Sequence, residues 1–373
     1  MIKVGITGQK GFIGKHLVNL IKTKTEEIEI IPFQRTYFKE SKKLCDFVQS
    51  CDVIVHIAAM NRHENEQVIY DTNLNLVKKL IESCEKTKSN PKIIFSSSTQ
   101  EEKNNFYGKS KREGRELFES WAKKTGNDIT TLIIPNVFGP FGKPNYNSFI
   151  ATFCDLLVKD KKPTVLNDSV VNLIYINELT EIFFTEIINN LKGVRVLKVD
   201  NTSSKKVSEI LLLLLNYKKM YIDLGQIPNV PKKSFELNLF NTFISYIPKN
   251  FFPRNYTKHI DNRGAFVEII RTEVSGQSSY SLTVPGITRG NHYHTRKIER
   301  FAVIKGKAAI KIRKVDSEEV IEYFLDGEKP AYVDMPIWYT HNITNIGNSE
   351  LITLFWINEP YNPDDTDTYF VEV

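Results

Sequence analysis

The 373-residue sequence has few cysteines and no long hydrophobic segment. Its four cysteines, Cys45, Cys51, Cys84 and Cys154, all lie in the first half and show no Cys-x-x-Cys spacing. Disulfide-rich secreted domains have more cysteines in shorter chains, so we expect reduced thiols and a cytoplasmic protein. The longest purely apolar run, Ile210–Leu215, is far shorter than the ~20 residues that a membrane-spanning helix needs, so no membrane span is predicted.

The sequence also lacks internal repeats, low-complexity segments and a concentrated basic stripe. Hydrophobic residues make up 41% of the chain and charged residues 25%, which is typical of globular proteins and allows real cores to form. The net charge of +6 is dispersed among acidic residues, which argues against nucleic-acid binding and favours small anions such as phosphates as ligands. The length predicts two domains.

The first half of the chain alternates short apolar runs with longer stretches whose apolar residues recur every three or four positions. Such strand–helix alternation predicts an α/β fold with a Rossmann-type, doubly wound parallel sheet. We predict strands at Ile2–Thr7, Ile28–Phe33, Val53–Ala58, Lys92–Ser97 and Thr130–Ile134, and helices at Phe12–Thr23, Thr72–Lys86 and Tyr107–Thr125.

From about Tyr256 onward the pattern changes to short alternating runs separated by Gly, Pro, Asn and Asp. This pattern predicts an all-β antiparallel barrel or sandwich. We therefore predict two domains, at residues 1–245 and 256–373, with the boundary between Ser234 and Asn255. The clearest strand-like runs are Ala302–Ile304, Ala308–Ile312, Val320–Phe324 and Leu351–Trp356.

Three glycines, Gly8, Gly11 and Gly14, follow the first predicted strand directly. A dinucleotide pyrophosphate approaches the N-terminus of the next helix closely only where the backbone carries no Cβ, so this spacing predicts a dinucleotide site. After the second strand stands Arg35, where NAD-binding proteins carry an acidic residue. Because a guanidinium can bind a 2′-phosphate through two hydrogen bonds, we predict NADP(H) as the cofactor. The alternative is an Arg35 that simply faces solvent.

Tyr107 and Lys111 stand four positions apart in a predicted helix, so the phenol and the ammonium group should share one face. A nearby cation favours phenolate, and we expect it to lower the pKa of Tyr107 enough for proton exchange near neutral pH. Upstream, Ser96, Ser97 and Ser98 end a predicted strand, where a hydroxyl can bind the reacting oxygen.

Together these motifs resemble the extended short-chain dehydrogenase/reductase family, whose members act largely on nucleotide sugars. The resemblance implies that Tyr107 donates the proton and that Ser98 and Lys111 complete the catalytic set. Tyr107 follows Ser98 by nine positions, closer than is usual in the family, so Ser97 stays open as the catalytic serine. The implied cofactor-binding residues are Gly8, Gly11, Phe12, Ile13, Gly14, Arg35, Ala58, Tyr107 and Lys111, and the implied substrate-binding residues are Asn136, Lys143 and Asn147.

The second half carries a histidine-rich pattern, His292-x-His294-x4-Glu299, followed later by His341. Residues two apart in a strand point to the same side, so both histidines can face one point, and neighbouring strands can add the other two groups. Imidazole nitrogens and a carboxylate are typical ligands of Zn²⁺, and also of Fe, Ni or Mn. We therefore predict a site for a divalent metal, with zinc as the preferred candidate.

This pattern resembles both sequence motifs of the cupin barrels. Trp338 departs from the cupin pattern, because it occupies a position where a glycine is usual. The stretches Asp261–Gly264 and Gly286–His292 also resemble the nucleotide-sugar 3,5-epimerases, a non-metal branch of the same barrels. In that branch the corresponding histidine abstracts the proton, so His292 has two alternative roles, as metal ligand or as base. The His-x-His spacing favours the ligand role.

The combination of the two halves resembles the bifunctional capsular polysaccharide synthesis enzymes, including the stretches Lys143–Ser148 and Thr366–Val373. Those enzymes act on a UDP-linked 4-keto-6-deoxy-N-acetylhexosamine on the route to UDP-N-acetyl-L-fucosamine, and a homodimer is expected. The resemblance implies that the cupin epimerises C3 and that the reductase then reduces C4 with NADPH, giving a UDP-N-acetyl-L-talosamine-type product. Two alternatives stay open: a reductase with a non-catalytic cupin for sugar binding or dimerisation, and a cofactor-sensing regulator without catalysis.

Overall fold

The computed structural model describes residues 1–261, 264–267, 269–270, 276–359 and 362–373. Asn262 and Arg263, within the epimerase-like stretch Asp261–Gly264, lie outside the described residues. Among the residues described, no helix is both long and apolar enough to cross a membrane.

The chain divides into two compact units. The first is formed by Met1–Thr152 and Val165–Ile210, and the second by Phe153–Thr164 and Leu211–Val373. Residues 211–245, which the sequence assigns to the first domain, therefore cluster with the second unit. The domain limits 1–245 and 256–373 stay a prediction.

Eight α-helices are described. They are connected by a 3-10 turn at Arg35–Lys39, another at Thr99–Glu102 and a π-helical turn at Lys218–Asp223, among others. The helices are α1 Phe12–Lys24, α2 Ser41–Gln49, α3 Glu66–Thr87, α4 Phe106–Thr125, α5 Phe149–Val158, α6 Ile176–Ile188, α7 Val207–Tyr217 and α8 Phe235–Ile244.

The first unit is built on a parallel sheet. Its strands are β1 Ile2–Thr7, β2 Ile28–Ile31, β3 Val53–His56, β4 Lys92–Ser98, β5 Ile129–Ile134, β6 Asn136–Phe138, β7 Val170–Tyr175, β8 Val194–Lys198 and β9 Ser203–Lys206. Six of them form the sheet β2-β1-β3-β4-β5-β8, and β6-β7-β9 form a small second sheet. The predicted Rossmann-type parallel sheet is confirmed.

Helices cover both faces of this sheet, as a parallel sheet requires. On one face α3 and α4 contribute Val77 and Phe118 to a core with Phe95 of β4. On the other face α1 and α6 contribute Leu17 and Phe183 to a second core. Because β1 has β2 on one side and β3 on the other, the sheet order reverses there, and a crevice opens at the carboxyl ends of β1 and β3.

The second unit is rich in antiparallel strands, as predicted. The strands are β10 Arg254–Asn255, β11 Lys258–Asp261, β12 Gly264–Val267, β13 Gln277–Thr283, β14 Thr288–Tyr293, β15 Glu299–Lys305, β16 Lys307–Lys314, β17 Val320–Asp326, β18 Ala331–Met335, β19 Tyr339–Asn345, β20 Leu351–Ile357 and β21 Tyr369–Phe370. They form two five-stranded sheets, β10-β18-β15-β20-β13 and β17-β16-β19-β14-β21. Phe301 of one sheet contacts His341 of the other, with ring centres 5.7 Å apart, so the two sheets face each other. A closed cupin barrel stays a prediction.

A buried polar network attaches the helical segment of the second unit to its strands. Arg300 of β15 and Asp334 of β18 form a two-pronged ion pair with N–O distances of 2.8 and 2.9 Å. The Tyr221 hydroxyl donates to the same carboxylate, and Arg300 also donates to the Gly225 carbonyl at 3.1 Å. These groups are buried and paired with one another. Removing one partner would therefore leave an unpaired charge in the protein interior, which is strongly destabilising. This network explains why residues after 210 cluster with the strands.

Candidate active site and metal centre

The glycine loop lies in the crevice between β1 and β3. Gly8 has a φ of +80°, and a Cβ on it would lie 3.1 Å from the Cα of Ala58, which follows β3. A Cβ on Gly14 would lie 2.3 Å from the carbonyl oxygen of Gly8, because α1 begins directly against the loop. Gly11 closes the loop by donating its N–H to the same carbonyl at 2.8 Å. The close backbone approach and the helix N-terminus are what a dinucleotide pyrophosphate requires.

The other predicted cofactor residues flank this crevice. Phe12 and Ile13 form the first turn of α1 and are half-buried. Arg35 is exposed and begins the 3-10 turn that follows β2, the strand paired with β1. Arg35 thus follows the second strand, the place in such folds where the adenosine ribose of a dinucleotide is recognised.

Tyr107 and Lys111 lie on one face at the start of α4. The Nζ atom of Lys111 is 5.8 Å from the centre of the Tyr107 ring. It donates a 2.8 Å hydrogen bond to the carbonyl oxygen of Ser96, in β4. Lys111 is buried and Tyr107 is half-buried. The structure therefore brings together the phenol, the amine and the end of β4.

The start of α4 is anchored on the turn that follows β4. Asn105 caps the helix by accepting the Gly108 N–H at 2.7 Å. A Cβ on Gly108 would lie 2.0 Å from the carbonyl oxygen of Gln100, so only glycine fits at this contact. This close packing, together with the short connection from Ser98, fixes the start of α4 against the turn that follows β4.

The electrostatics of this pair differ from the expectation. Burial raises the pKa of Tyr107, and the Tyr146 phenol raises it further. Burial lowers the pKa of Lys111 to about 8, against an opposing effect of Glu101. The expectation of a lowered Tyr107 pKa is therefore wrong, because desolvation dominates both groups. Tyr107 is a neutral phenol that carries a proton to donate.

The two candidate serines differ in their hydrogen bonds. Ser97 is buried, and its hydroxyl donates to the carboxylate of Glu101, which is itself paired with Arg115 at 3.0 Å. Ser98 is half-buried at the end of β4, and its hydroxyl oxygen accepts the Gln100 N–H at 3.2 Å. The Ser97 hydroxyl hydrogen is thus donated to Glu101. The Ser98 hydroxyl acts only as an acceptor in its bond with Gln100, so that bond does not use its hydrogen.

The three predicted substrate residues lie in two places. Asn136, in β6, donates its side-chain amide to the Asn172 carbonyl at 3.2 Å and so links β6 to β7. Lys143 and Asn147 belong to one exposed loop, in which the Lys143 ammonium lies 5.3 Å from the centre of the Tyr146 ring. Asn147 lines an open cavity together with Arg62, Asn145, Tyr146, Ser148, Phe149 and Thr152.

His292, His294, Glu299 and His341 converge in the second unit, with ligand atoms all within 4.8 Å of one another. The Glu299 Oε2 atom lies 3.0 Å from His341 Nε2, 3.2 Å from His294 Nε2 and 3.8 Å from His292 Nε2. The strands β14 and β19 pair His292 with His341, and β15 of the opposite sheet brings Glu299. The cluster therefore forms only because both sheets fold.

Two of the imidazoles are oriented by backbone carbonyls. His294 Nδ1 lies 2.5 Å from the Asp367 carbonyl oxygen, and His341 Nδ1 lies 3.1 Å from the Tyr339 carbonyl oxygen. A carbonyl can only accept, so each Nδ1 carries a proton, and Nε2 is the ring nitrogen that faces Glu299. The buried Nε2 of His294 faces the Glu299 carboxylate at 3.2 Å. Burial lowers the pKa of His294, but its contact with Glu299 outweighs burial and raises it.

The charges in the cluster suit a cation. Burial raises the pKa of Glu299, but its contacts with the three imidazoles outweigh burial and hold this pKa well below the usual range. An ionised carboxylate and three imidazoles whose Nε2 atoms face it are the donor set of a zinc site with three nitrogens and one oxygen, and metal binding would release the Nε2 protons. The residues present therefore fit a divalent metal, and the convergence of their four ligand atoms within 4.8 Å of one another is the strongest sign of it.

Trp338 occupies the turn before β19, where the cupin motif usually has glycine. Its φ is +63°, so the turn keeps a left-handed conformation, which costs a non-glycine residue about 1–2 kcal/mol. Its backbone N–H donates to the His294 carbonyl at 2.8 Å, and its indole stacks on the Tyr293 ring with centres 5.6 Å apart. The turn therefore has the left-handed backbone conformation that glycine favours, although a tryptophan occupies it.

Three residues of these sites were not predicted from the sequence. Glu101 holds Ser97, Arg62 donates to the Asn145 carbonyl at 3.0 Å beside the cavity, and Asp367 orients His294. Glu101 and Arg62 stand in no predicted motif, and Asp367 lies in the Thr366–Val373 stretch without a predicted role, so only the tertiary contacts reveal what these residues do.

Two family models match the chain, in agreement with the two sites. Residues 4–194 match the NAD dependent epimerase/dehydratase family. Residues 259–369 match the polysaccharide biosynthesis C-terminal domain. The chain belongs to the NAD dependent epimerase/dehydratase family, and its second half carries a domain of polysaccharide biosynthesis.

Similar proteins are found over the whole chain. CapF from Staphylococcus aureus, a capsular polysaccharide assembling protein, is 35% identical and has a TM-score of 0.63 with full coverage of both chains. The UDP-2-acetamido-2,6-beta-L-arabino-hexul-4-ose reductase of Pseudomonas aeruginosa is 32% identical over 100% of this chain and 99% of the relative. The spore coat polysaccharide biosynthesis protein SpsL of Bacillus subtilis is 28% identical over 30% of this chain and 80% of its own length. The predicted resemblance to CapF is confirmed.

Proposed function

We propose that this protein is a bifunctional nucleotide-sugar enzyme of surface polysaccharide synthesis. Its second half epimerises C3 of a UDP-linked 4-keto-6-deoxy-N-acetylhexosamine, and its first half reduces C4 with NADPH. The product is of the UDP-N-acetyl-L-talosamine type, on the route to UDP-N-acetyl-L-fucosamine. Support for the reduction comes from the Pseudomonas aeruginosa relative, which is named as a reductase of a UDP-linked 4-keto sugar.

In the reduction, the cofactor supplies hydride to C4 and the protein supplies the proton to the C4 oxygen. Tyr107 is the proton donor, since burial raises its pKa and keeps the phenol protonated. The ammonium group of Lys111, held on the Ser96 carbonyl at 2.8 Å, stabilises the phenolate that Tyr107 becomes. The Ser98 hydroxyl donates to the same substrate oxygen and orients the ketone.

The crevice beside Gly8, Gly11 and Gly14 holds the cofactor pyrophosphate. Arg35 favours NADPH, because it can bind the 2′-phosphate and no acidic residue stands beside it to accept from a free 2′-hydroxyl. The exposed loop with Lys143 and Asn147, beside the cavity that Arg62 lines, contacts the UDP-sugar.

The order of the two reactions follows from their chemistry. The proton at C3 is acidic only while C4 is a ketone, because the resulting anion spreads onto the C4 oxygen. Reduction of C4 therefore fixes the configuration at C3, and epimerisation must come first. This dependence gives a physical reason for one chain to carry both sites.

The metal centre belongs to the epimerising half. His292, His294, Glu299 and His341 would hold a divalent cation, with zinc preferred for three imidazoles and one carboxylate. The bound cation would supply positive charge for the anion that forms when C3 loses its proton. Another residue removes this proton if His292 is a ligand, because a ligated imidazole has no free lone pair.

The buried Lys111 amine between Tyr107 and the end of β4 is the observation that carries the proposed reduction. The test is incubation of the full chain with the UDP-4-keto sugar in D₂O, with and without NADPH. We expect deuterium at C3 without NADPH, and NADPH oxidation when it is added. A non-catalytic second half would give NADPH oxidation without C3 exchange, and a regulatory protein would give neither.

A further inference from the structure

Asp367 is a buried carboxylate in the segment that precedes β21. It is 4% exposed and has a φ of +43°. Its carboxylate accepts four hydrogen bonds from one loop. The donors are the Thr295 N–H at 3.0 Å, the Thr295 hydroxyl at 2.6 Å, the Arg296 N–H at 3.0 Å and the Lys297 N–H at 3.1 Å.

The loop that Asp367 binds is the connection between two members of the metal cluster. It begins directly after His294 and ends at Glu299, the first residue of β15. The conformation of this loop therefore sets the distance between the His294 imidazole and the Glu299 carboxylate, which lie 3.2 Å apart. Three N–H groups in succession, all donating to one carboxylate, leave the loop little freedom.

Asp367 also contacts the cluster directly through its backbone. Its carbonyl oxygen accepts the Nδ1 proton of His294 at 2.5 Å, which leaves Nε2 as the nitrogen that faces Glu299. The same segment is fixed at both sides, since Lys297 Nζ donates to the Thr366 carbonyl at 2.8 Å and β21 pairs with β14 across His292 and Phe370.

We propose that Asp367 is a positioning residue of the metal centre, which sets the tautomer of His294 and the spacing between His294 and Glu299. The inference rests on the metal site of the proposed function. It gives the Thr366–Val373 stretch a role, because that stretch carries Asp367, which orients His294 and fixes the loop that leads to Glu299. Groups that orient metal-binding imidazoles typically change metal affinity by about 10- to 100-fold when they are altered.

The test compares Asp367→Asn with Asp365→Asn in the full chain. Asparagine tolerates a positive φ as aspartate does, so the variant removes the charge and one of the two acceptor oxygens without a new backbone strain. Asp365 is a matched control, because it belongs to the same segment and pairs with the side chain of Arg296 at 2.8 Å but is largely exposed. Zinc affinity is measured by competition with a chromogenic chelator, and Tm is measured with and without zinc.

We expect Asp367→Asn to bind zinc about 10- to 100-fold more weakly and to gain less Tm from zinc than the wild type, while Asp365→Asn keeps both values. Thr295→Val, which removes one of the four donors, should show a smaller loss and covers the case in which Asp367→Asn does not fold. Equal zinc affinity and an equal zinc-induced gain in Tm for all variants would overturn the inference while leaving the metal site in place. A wild-type protein that binds no zinc would instead overturn the metal site itself.

Discussion

Ser97 donates its hydroxyl hydrogen to the buried carboxylate of Glu101, and this contact separates the roles of the two serines at the end of β4. We expect Ser98→Ala to lower kcat for NADPH oxidation by about 100-fold, because the substrate oxygen loses a hydrogen-bond donor. Ser97→Ala should have a much smaller effect. Steady-state rates of the two variants are compared, and a larger loss for Ser97→Ala would reverse the assignment.

Tyr107→Phe should lower the rate of NADPH oxidation by about 100- to 10,000-fold, because the proton donor is missing. Deuterium exchange at C3 should continue, since the phenol serves only the reduction. The matched control is Tyr70→Phe, which removes a phenol that donates to Glu113 at 2.5 Å on neighbouring helices. If C3 exchange also disappears in a folded Tyr107→Phe protein, the scheme with two separate sites is wrong.

The reduction should lose efficiency as the pH rises through about 8, because burial lowers the pKa of Lys111 to about 8 and the amine is neutral above it. The neutral amine no longer stabilises the Tyr107 phenolate, so kcat/KM falls on the alkaline side. Lys111→Arg keeps its charge at these pH values and should remove this fall, whatever its overall rate. An unchanged alkaline limb in Lys111→Arg would assign the titration to another group.

Arg35→Asp should shift the cofactor preference from NADPH towards NADH. The guanidinium that pairs with the 2′-phosphate is lost, and a carboxylate repels this phosphate and accepts from a 2′-hydroxyl. Lys39→Asp, an equal change of charge at the other end of the same 3-10 turn, is the control. The measurement is kcat/KM for NADPH and for NADH in each variant. Equal kcat/KM values for the two cofactors in the wild type would contradict a preference for NADPH.

His292→Ala should lower zinc content and the Tm of the zinc-loaded protein together, because a bound metal stabilises the state that binds it. The loss of affinity should be at least about 10-fold. His63→Ala, at an exposed histidine of the first unit, is the control. Full zinc occupancy and an unchanged Tm, with C3 exchange lost, would show that His292 is the base and no ligand.

The sequence predicted the parallel sheet, the glycine loop and the ligand-type residues, because each depends on a local pattern. Gly8, Gly11 and Gly14 reflect how closely backbone can approach a helix start, and that requirement is visible in the spacing alone. The four strands from β1 to β4 are found within a few residues of their predicted limits, because period and length identify buried strands.

Only the tertiary structure decided the chemical state and the surroundings of these residues. The upward shift of the Tyr107 pKa is caused by burial, although the sequence places the charge of Lys111 nearby. Glu101 and Asp367 reach their partners through contacts without any fixed spacing, since Asp367 meets His294 across 73 positions of the chain. A pattern records which side chains are present, whereas their desolvation and their partners are fixed only when distant segments pack together.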